Sequence, residues 1–91
     1  MKSVRIYTTS WCGFCHRAKQ VLQAHDVPFD EIDVEEQPEL RTWLRKVTGQ
    51  HTVPQIFFGD DSIGGCTDLL ALIAAGGLDA RLGRTADSDV G

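Results

Sequence analysis

The sequence predicts a single α/β domain in the element order βαβαββα. Three observations carry that prediction. Short runs rich in β-branched and aromatic residues stand at Val4–Thr8, Phe29–Val34 and Gln55–Ile63, as strands require. Between and after them, apolar residues recur every three or four positions, the period of a helix face. The chain has 91 residues, enough for one hydrophobic core and too few for two.

Val4, Ile6 and Thr8 alternate with Arg5 and Tyr7, which makes a first strand ending near Thr9. Phe14, Ala18, Val21 and Leu22 then fall on one face of a helix running from about Gly13 to Ala24, with Cys12 at its N-terminus. Val27-Pro28 breaks that helix, and Phe29 to Val34 is a second strand with acidic residues interleaved. Pro38 suits the first turn of a second helix, whose apolar face is Leu40, Trp43, Leu44 and Val47, with Trp43 as core and Gly49 as the stop. Gln55–Phe58, the turn Gly59-Asp60-Asp61 and Ser62-Ile63 read as a hairpin ended by Gly64-Gly65. Thr67 or Asp68 caps a third helix carrying Leu69, Leu70, Leu72 and Ile73 and stopping at Gly76-Gly77. Residues 1–82 form the domain, and residues 83–91, with Val90 as their one large apolar side chain after Leu82, are expected to be a flexible tail.

Composition narrows the partners. An apolar fraction of 42% without a run of 18 apolar residues predicts a soluble protein with no membrane span. A net charge of −4 removes the attraction that a nucleic-acid or anionic-membrane binder relies on. The N-terminus enters its alternating pattern at once, without a secretory segment, so a reducing cytoplasm is the expected location. The cysteine count of three, an odd number, does not suit a disulfide framework there.

Two of the cysteines form Cys12-Gly13-Phe14-Cys15 at the start of the first helix. A thiol is a useful nucleophile only as the thiolate, which a helix N-terminus favours through its free amide donors and positive dipole end. Cys12 is placed for attack, and Cys15, one turn on, for resolving a mixed disulfide formed on Cys12. The same spacing supplies half a zinc site, but no second ligand pair recurs, and Cys66, His16, His25 and His51 stand apart in sequence. His16 completes the Cys-x-x-Cys-His pattern of haem attachment, yet the only methionine is Met1 and no export segment is present; an exposed first-turn histidine is the simpler reading.

Three blocks together resemble the small bacterial glutaredoxins: Tyr7-Thr8-Thr9-Ser10-Trp11-Cys12-Gly13-Phe14-Cys15-His16-Arg17-Ala18-Lys19, Thr52-Val53-Pro54-Gln55-Ile56-Phe57, and Ile63-Gly64-Gly65-Cys66-Thr67-Asp68-Leu69. The similarity runs from about Val4 to Leu82. It implies a thioredoxin-like fold with a four-stranded mixed sheet flanked by helices, and a cis Val53-Pro54 peptide beside the cysteines. It implies a glutathione-dependent thiol–disulfide oxidoreductase acting on glutathione mixed disulfides and protein disulfides, with Cys12 as nucleophile and Cys15 as resolving thiol. Glutathione is then the co-substrate, and glutathionylated or disulfide-containing proteins are the partners of a monomer.

The resemblance also carries over a binding set. Val53 matches the residue whose backbone pairs with the cysteinyl part of glutathione, flanked by Thr52 and Pro54, with Phe14 beside the nucleophile. Gly65, Cys66, Thr67 and Asp68 match the surroundings of the γ-glutamyl end, where glycines allow close approach and a helix start offers amide donors. Thr67 and Asp68 equally serve as plain helix caps. Arg41 matches a polar or basic position near the glycine carboxylate, and a solvated surface arginine is its bland alternative. Cys66 reads as a small packed residue. Two positions depart from the family pattern: Thr9 stands where a lysine is common, and Gly13-Phe14 replaces Pro-Tyr. Glycine at that position also occurs in members that hold a [2Fe–2S] cluster between two subunits through the first cysteine and glutathione, which keeps open a dimeric cluster carrier ligated by Cys12.

Overall fold

A computed structural model describes residues 1–84. Its elements are β1 (Val4–Thr8), α1 (Gly13–Ala24), β2 (Asp30–Asp33), α2 (Pro38–Thr48), β3 (Gln55–Phe58), β4 (Asp61–Gly64), α3 (Cys66–Ala74) and α4 (Leu78–Leu82). The strands form one mixed sheet in the order β2-β1-β3-β4. β1 runs parallel to β2 and antiparallel to β3, and β3 is antiparallel to β4. This is the thioredoxin-like arrangement that the resemblance implied.

Alternation along β1 and β3 sends residues to both faces of the sheet, and both faces are covered. Val4, Ile6, Ile56 and Phe58 meet Ala18 and Leu22 of α1, Leu69 of α3, and Leu78 and Leu82. On the other face Tyr7 and Phe57 meet Leu44 of α2 and Val34. Arg5 shares that second face, its guanidinium lying over the rings of Tyr7 and Phe57 and donating to the Tyr7 hydroxyl at 2.9 Å.

Four expectations are corrected here. The last turn of the domain is a separate helix, α4, whose Leu78 and Leu82 are both buried one turn apart; a single turn with two apolar residues carries too little periodicity to read. The cap of α3 is Gly65, not Thr67 or Asp68. Asp68 serves that end differently: its Oδ2 accepts the Gly65 N–H at 2.9 Å. On α1 the buried residues are Cys15, Ala18 and Leu22, while Phe14, although four positions before Ala18, sits in the first turn at the helix end and is 64% exposed. On α2 only Leu44 is buried. Trp43 is 39% exposed and leans on Tyr7 and Phe57, with ring centroids 5.9 and 6.0 Å away.

Residues 85–91 of the expected tail lie outside the described residues. Gly83 closes α4 in the left-handed region. Arg84 pairs with Asp79 and donates to the carbonyls of His25 and Asp26 at 3.1 and 3.3 Å. No helix among the described residues is long and apolar enough to cross a membrane.

Candidate active site

β1 ends at Thr8 and the chain turns through Trp11 into α1, so Cys12 occupies the N-cap. Its Sγ accepts the N–H of Cys15 at 3.2 Å and donates to the carbonyl of Val53 at 3.5 Å. The sulfur therefore caps one of the amides left unpaired by the helix start. Cys12 is partly exposed and Cys15 is buried, and both are free thiols.

The second thiol is held protonated by its surroundings. Burial pushes the Cys15 thiol from an ordinary 9.0 up to about 12. The hydrogen bond with Cys12 and its charge act the same way, against smaller opposing effects of the Thr9 backbone and Lys19. Burial likewise raises Cys66, with Arg17 opposing. Behind the pair, the buried Thr8 hydroxyl donates to Glu31 Oε2 at 2.8 Å and Lys19 pairs with the same oxygen at 2.9 Å. Lys19 and then Thr8 hold the Glu31 carboxyl below its ordinary value.

Beside Cys12 lies a groove of about 270 Å³ lined by Phe14, Gln50, Thr52, Val53, Pro54, Gly65, Cys66, Thr67 and Asp68. Eight of these nine were named from the sequence. The Val53-Pro54 peptide is cis, as the resemblance implied. Across from it, Gly64 has φ +106°, and a Cβ there would run into the Asp68 carboxylate; only glycine lets β4 turn into α3 this tightly. A Cβ on Gly65 would stand 3.3 Å from the Pro54 carbonyl, so the third block is held close against the second.

Arg41 does not line this groove. It lines a shallow depression with Leu44, Arg45 and His51, which shares Thr52 and Val53 with the groove. Trp11 and Phe14 flank the nucleophile at 91% and 64% exposure. Gln50 escaped notice because a lone polar loop residue has no periodic signal; its position just before Thr52-Val53-Pro54 was the available clue. Among the described residues, no three histidine, cysteine or acidic side chains cluster as metal ligands.

Comparison with known proteins gives one consistent family. A glutaredoxin from Pseudomonas aeruginosa is 54% identical over 82 residues, covering 90% of this chain and 98% of that protein. The solution structure of a glutaredoxin from Brucella melitensis matches with a TM-score of 0.81 and 42% identity, over 94% of this chain and 96% of the other. A crystal structure of a buckwheat glutaredoxin–glutathione complex matches with a TM-score of 0.84 and 26% identity, over 89% of this chain and 76% of the other. Since the glutaredoxin family model also matches residues 4–63, which hold the cysteine pair, the cis peptide and three of the four strands in full, this chain belongs to the glutaredoxin family.

Proposed function

We propose that this protein reduces glutathione mixed disulfides and protein disulfides, with Cys12 as nucleophile and glutathione as electron donor. The observation that carries the reading is Cys12 Sγ, bonded to the Cys15 amide and to the carbonyl of Val53, a residue that lines the groove. The buckwheat relative is described in complex with glutathione. Cys12, as thiolate, attacks the glutathione sulfur of a mixed disulfide; the Cys12–glutathione bond forms and the target leaves as a thiolate that takes up a proton. A second glutathione thiolate attacks the glutathione sulfur on Cys12, forming glutathione disulfide and returning the Cys12 thiolate. Protein disulfides follow the dithiol route: Cys12 opens the target disulfide, Cys15 attacks Cys12, and the Cys12–Cys15 disulfide is then reduced by two glutathiones.

In this reading the Val53 backbone pairs with the cysteinyl unit, while Thr67 and Asp68 take the γ-glutamyl end beside Gly65 and Cys66. Phe14, Thr52 and Pro54 shape the walls, and Arg41 contributes positive charge from the neighbouring depression. A buried thiol near 12 suits a resolving role used late, because Cys15 stays protonated while Cys12 works. A reducing compartment such as the cytoplasm would keep both thiols free. The test is deglutathionylation of a small mixed disulfide: Cys12→Ser should abolish it and Cys15→Ser should keep it, and equal loss in both would refute the monothiol route.

A second reading rests on Gly13, where an added Cβ would meet nothing within 4 Å, so packing does not dictate the glycine. In it, two chains hold a [2Fe–2S] cluster through Cys12 of each and two glutathiones. One chain offers Cys12 alone, so the cluster fits only a dimer. Such a cluster would give the protein an electron-transfer or cluster-delivery role. Anaerobic reconstitution with iron, sulfide and glutathione decides: a brown dimer supports this reading and a colourless monomer overturns it.

A further inference from the structure

Behind Gln50 in the groove stands a buried amide, Gln55, which opens β3 and is 1% exposed. Its Nε2 donates to the Thr52 carbonyl at 3.0 Å and to Gln50 Oε1 at 3.1 Å. A carbonyl oxygen only accepts, so the Gln55 atom beside Thr52 must be the nitrogen, and the Gln50 atom facing that nitrogen must be the oxygen. Both amide orientations follow. The oxygen of Gln50 is thereby engaged, which leaves its two N–H donors as the polar groups its side chain can give to a ligand in the groove it lines. Gln55 Oε1 meanwhile is buried with no protein partner. An apolar side chain of this size would strand no acceptor of its own but would leave the Thr52 carbonyl and Gln50 without this donor, so those two bonds are what the amide supplies.

We propose that Gln55 is a positioning residue that turns Gln50 so that its Nε2 grips a carboxylate on the wall formed by the loop after α2, and that this carboxylate is the glycine end of glutathione. The proposal rests on the glutathione reading above. The walls of the groove differ in kind. α3 contributes a carboxylate, Asp68, already engaged with Gly65 N–H. The loop after α2 contributes the Gln50 donors, and Arg41, Arg45 and His51 line the adjoining depression. An anion is favoured on that side, so a ligand with a carboxylate at one end and an ammonium at the other enters in one direction. By donating to the Thr52 carbonyl as well, Gln55 ties its amide to the loop that carries Gln50.

The test is steady-state kinetics of the full chain on one peptide carried as its glutathione disulfide or as its γ-glutamylcysteine disulfide, which lacks the glycine carboxylate. The wild type should show the lower KM for the glutathione form. Gln50→Ala and Gln55→Met should each raise that KM about tenfold, the usual scale for a lost hydrogen bond to a charged group, with kcat unchanged. Neither should alter the kinetics on the γ-glutamylcysteine form, and the double variant should be no worse than the singles, because the two residues act as one unit. Gln50→Ala changes an exposed side chain and tests the grip even if Gln55→Met folds poorly. Retained preference for the glutathione form in Gln50→Ala overturns the proposal; so does equal slowing of both substrates in Gln55→Met, the mark of a merely loosened loop. A wild type with one KM for both peptides overturns the carboxylate assignment while leaving the glutathione reading standing; one that turns over neither removes that reading too.

Discussion

Replacing Cys12 by serine should change the chemistry of Cys15, and the structure sets the size of the change. With its thiol at about 12 against an ordinary 9.0, Cys15 is thiolate at pH 7 in only about one molecule in 10⁵, roughly a thousandfold less than an unperturbed thiol. Iodoacetamide at pH 7, followed by peptide mass spectrometry, should therefore label Cys12 and leave Cys15 untouched over the same time. Burial is the largest cause of the raised value, but the hydrogen bond and charge of Cys12 also contribute. In Cys12→Ser the charge is removed, so the pH midpoint for Cys15 labelling should fall yet stay above 9, because the burial remains. The same shift affects stability. A raised folded-state value means that the folded protein holds a proton the unfolded chain gives up above about 9. The stabilisation is thus complete below that pH and is lost progressively as pH rises towards 12. At most it amounts to about 4 kcal/mol, from about 1.4 kcal/mol for each tenfold. Thermal melts from pH 8 to 11 should fall more steeply for the wild type than for Cys15→Ala. Labelling of Cys15 within tenfold of Cys12 at pH 7, or a midpoint unmoved in Cys12→Ser, would refute the reasoning.

Other outcomes are expected on the same grounds. Glu31→Gln should flatten the acid limb of stability, since the lowered carboxyl of Glu31 contributes only above about its ordinary 4.5 and the contribution is lost as pH falls through the folded-state value. With both partners partly exposed, the loss should stay under about 1 kcal/mol by urea titration at pH 7. Leu22→Ala empties a fully buried site between α1 and the sheet and should cost about 2–5 kcal/mol, seen as a melting temperature lower by at least about 10 °C. Gly64→Ala meets both φ +106° and the Asp68 carboxylate, so it should lower the melting point and raise the KM for glutathione mixed disulfides together; a change in neither would show that β4 and α3 adapt freely. Trp11→Ala, at 91% exposure, should move stability by no more than about 0.5 kcal/mol in the same titration.

What the sequence made legible followed periodicity. Strands and long helices announce themselves because each repeats a burial pattern several times, and α1 was read to its exact ends. α4 has one turn and no repeat, so Leu78 and Leu82 looked like the fringe of a tail. Trp43 shows the opposite failure: it keeps helical register with Leu40 and Leu44, yet the ring lies at the border of α2, where register alone does not fix depth. At the site, the residues held by backbone, such as Val53 and Gly65, were readable as blocks of sequence. Gln50 depends on a side-chain contact with Gln55, five positions on, and no local pattern reports such a pair.

Where β1 begins and α4 closes has a practical side. The Lys2 amide donates to the Leu82 carbonyl at 2.7 Å, so the start of β1 and the close of α4 are stitched together. Cys12 follows the far end of that same strand, whose five residues span roughly 17 Å at about 3.3 Å each. A tag, surface tether or fused partner joined ahead of Lys2 would thus be attached at the pole of the molecule opposite its sulfur chemistry. An immobilised form of the protein, coupled through that pole, should meet bulky disulfide substrates with its working end outward.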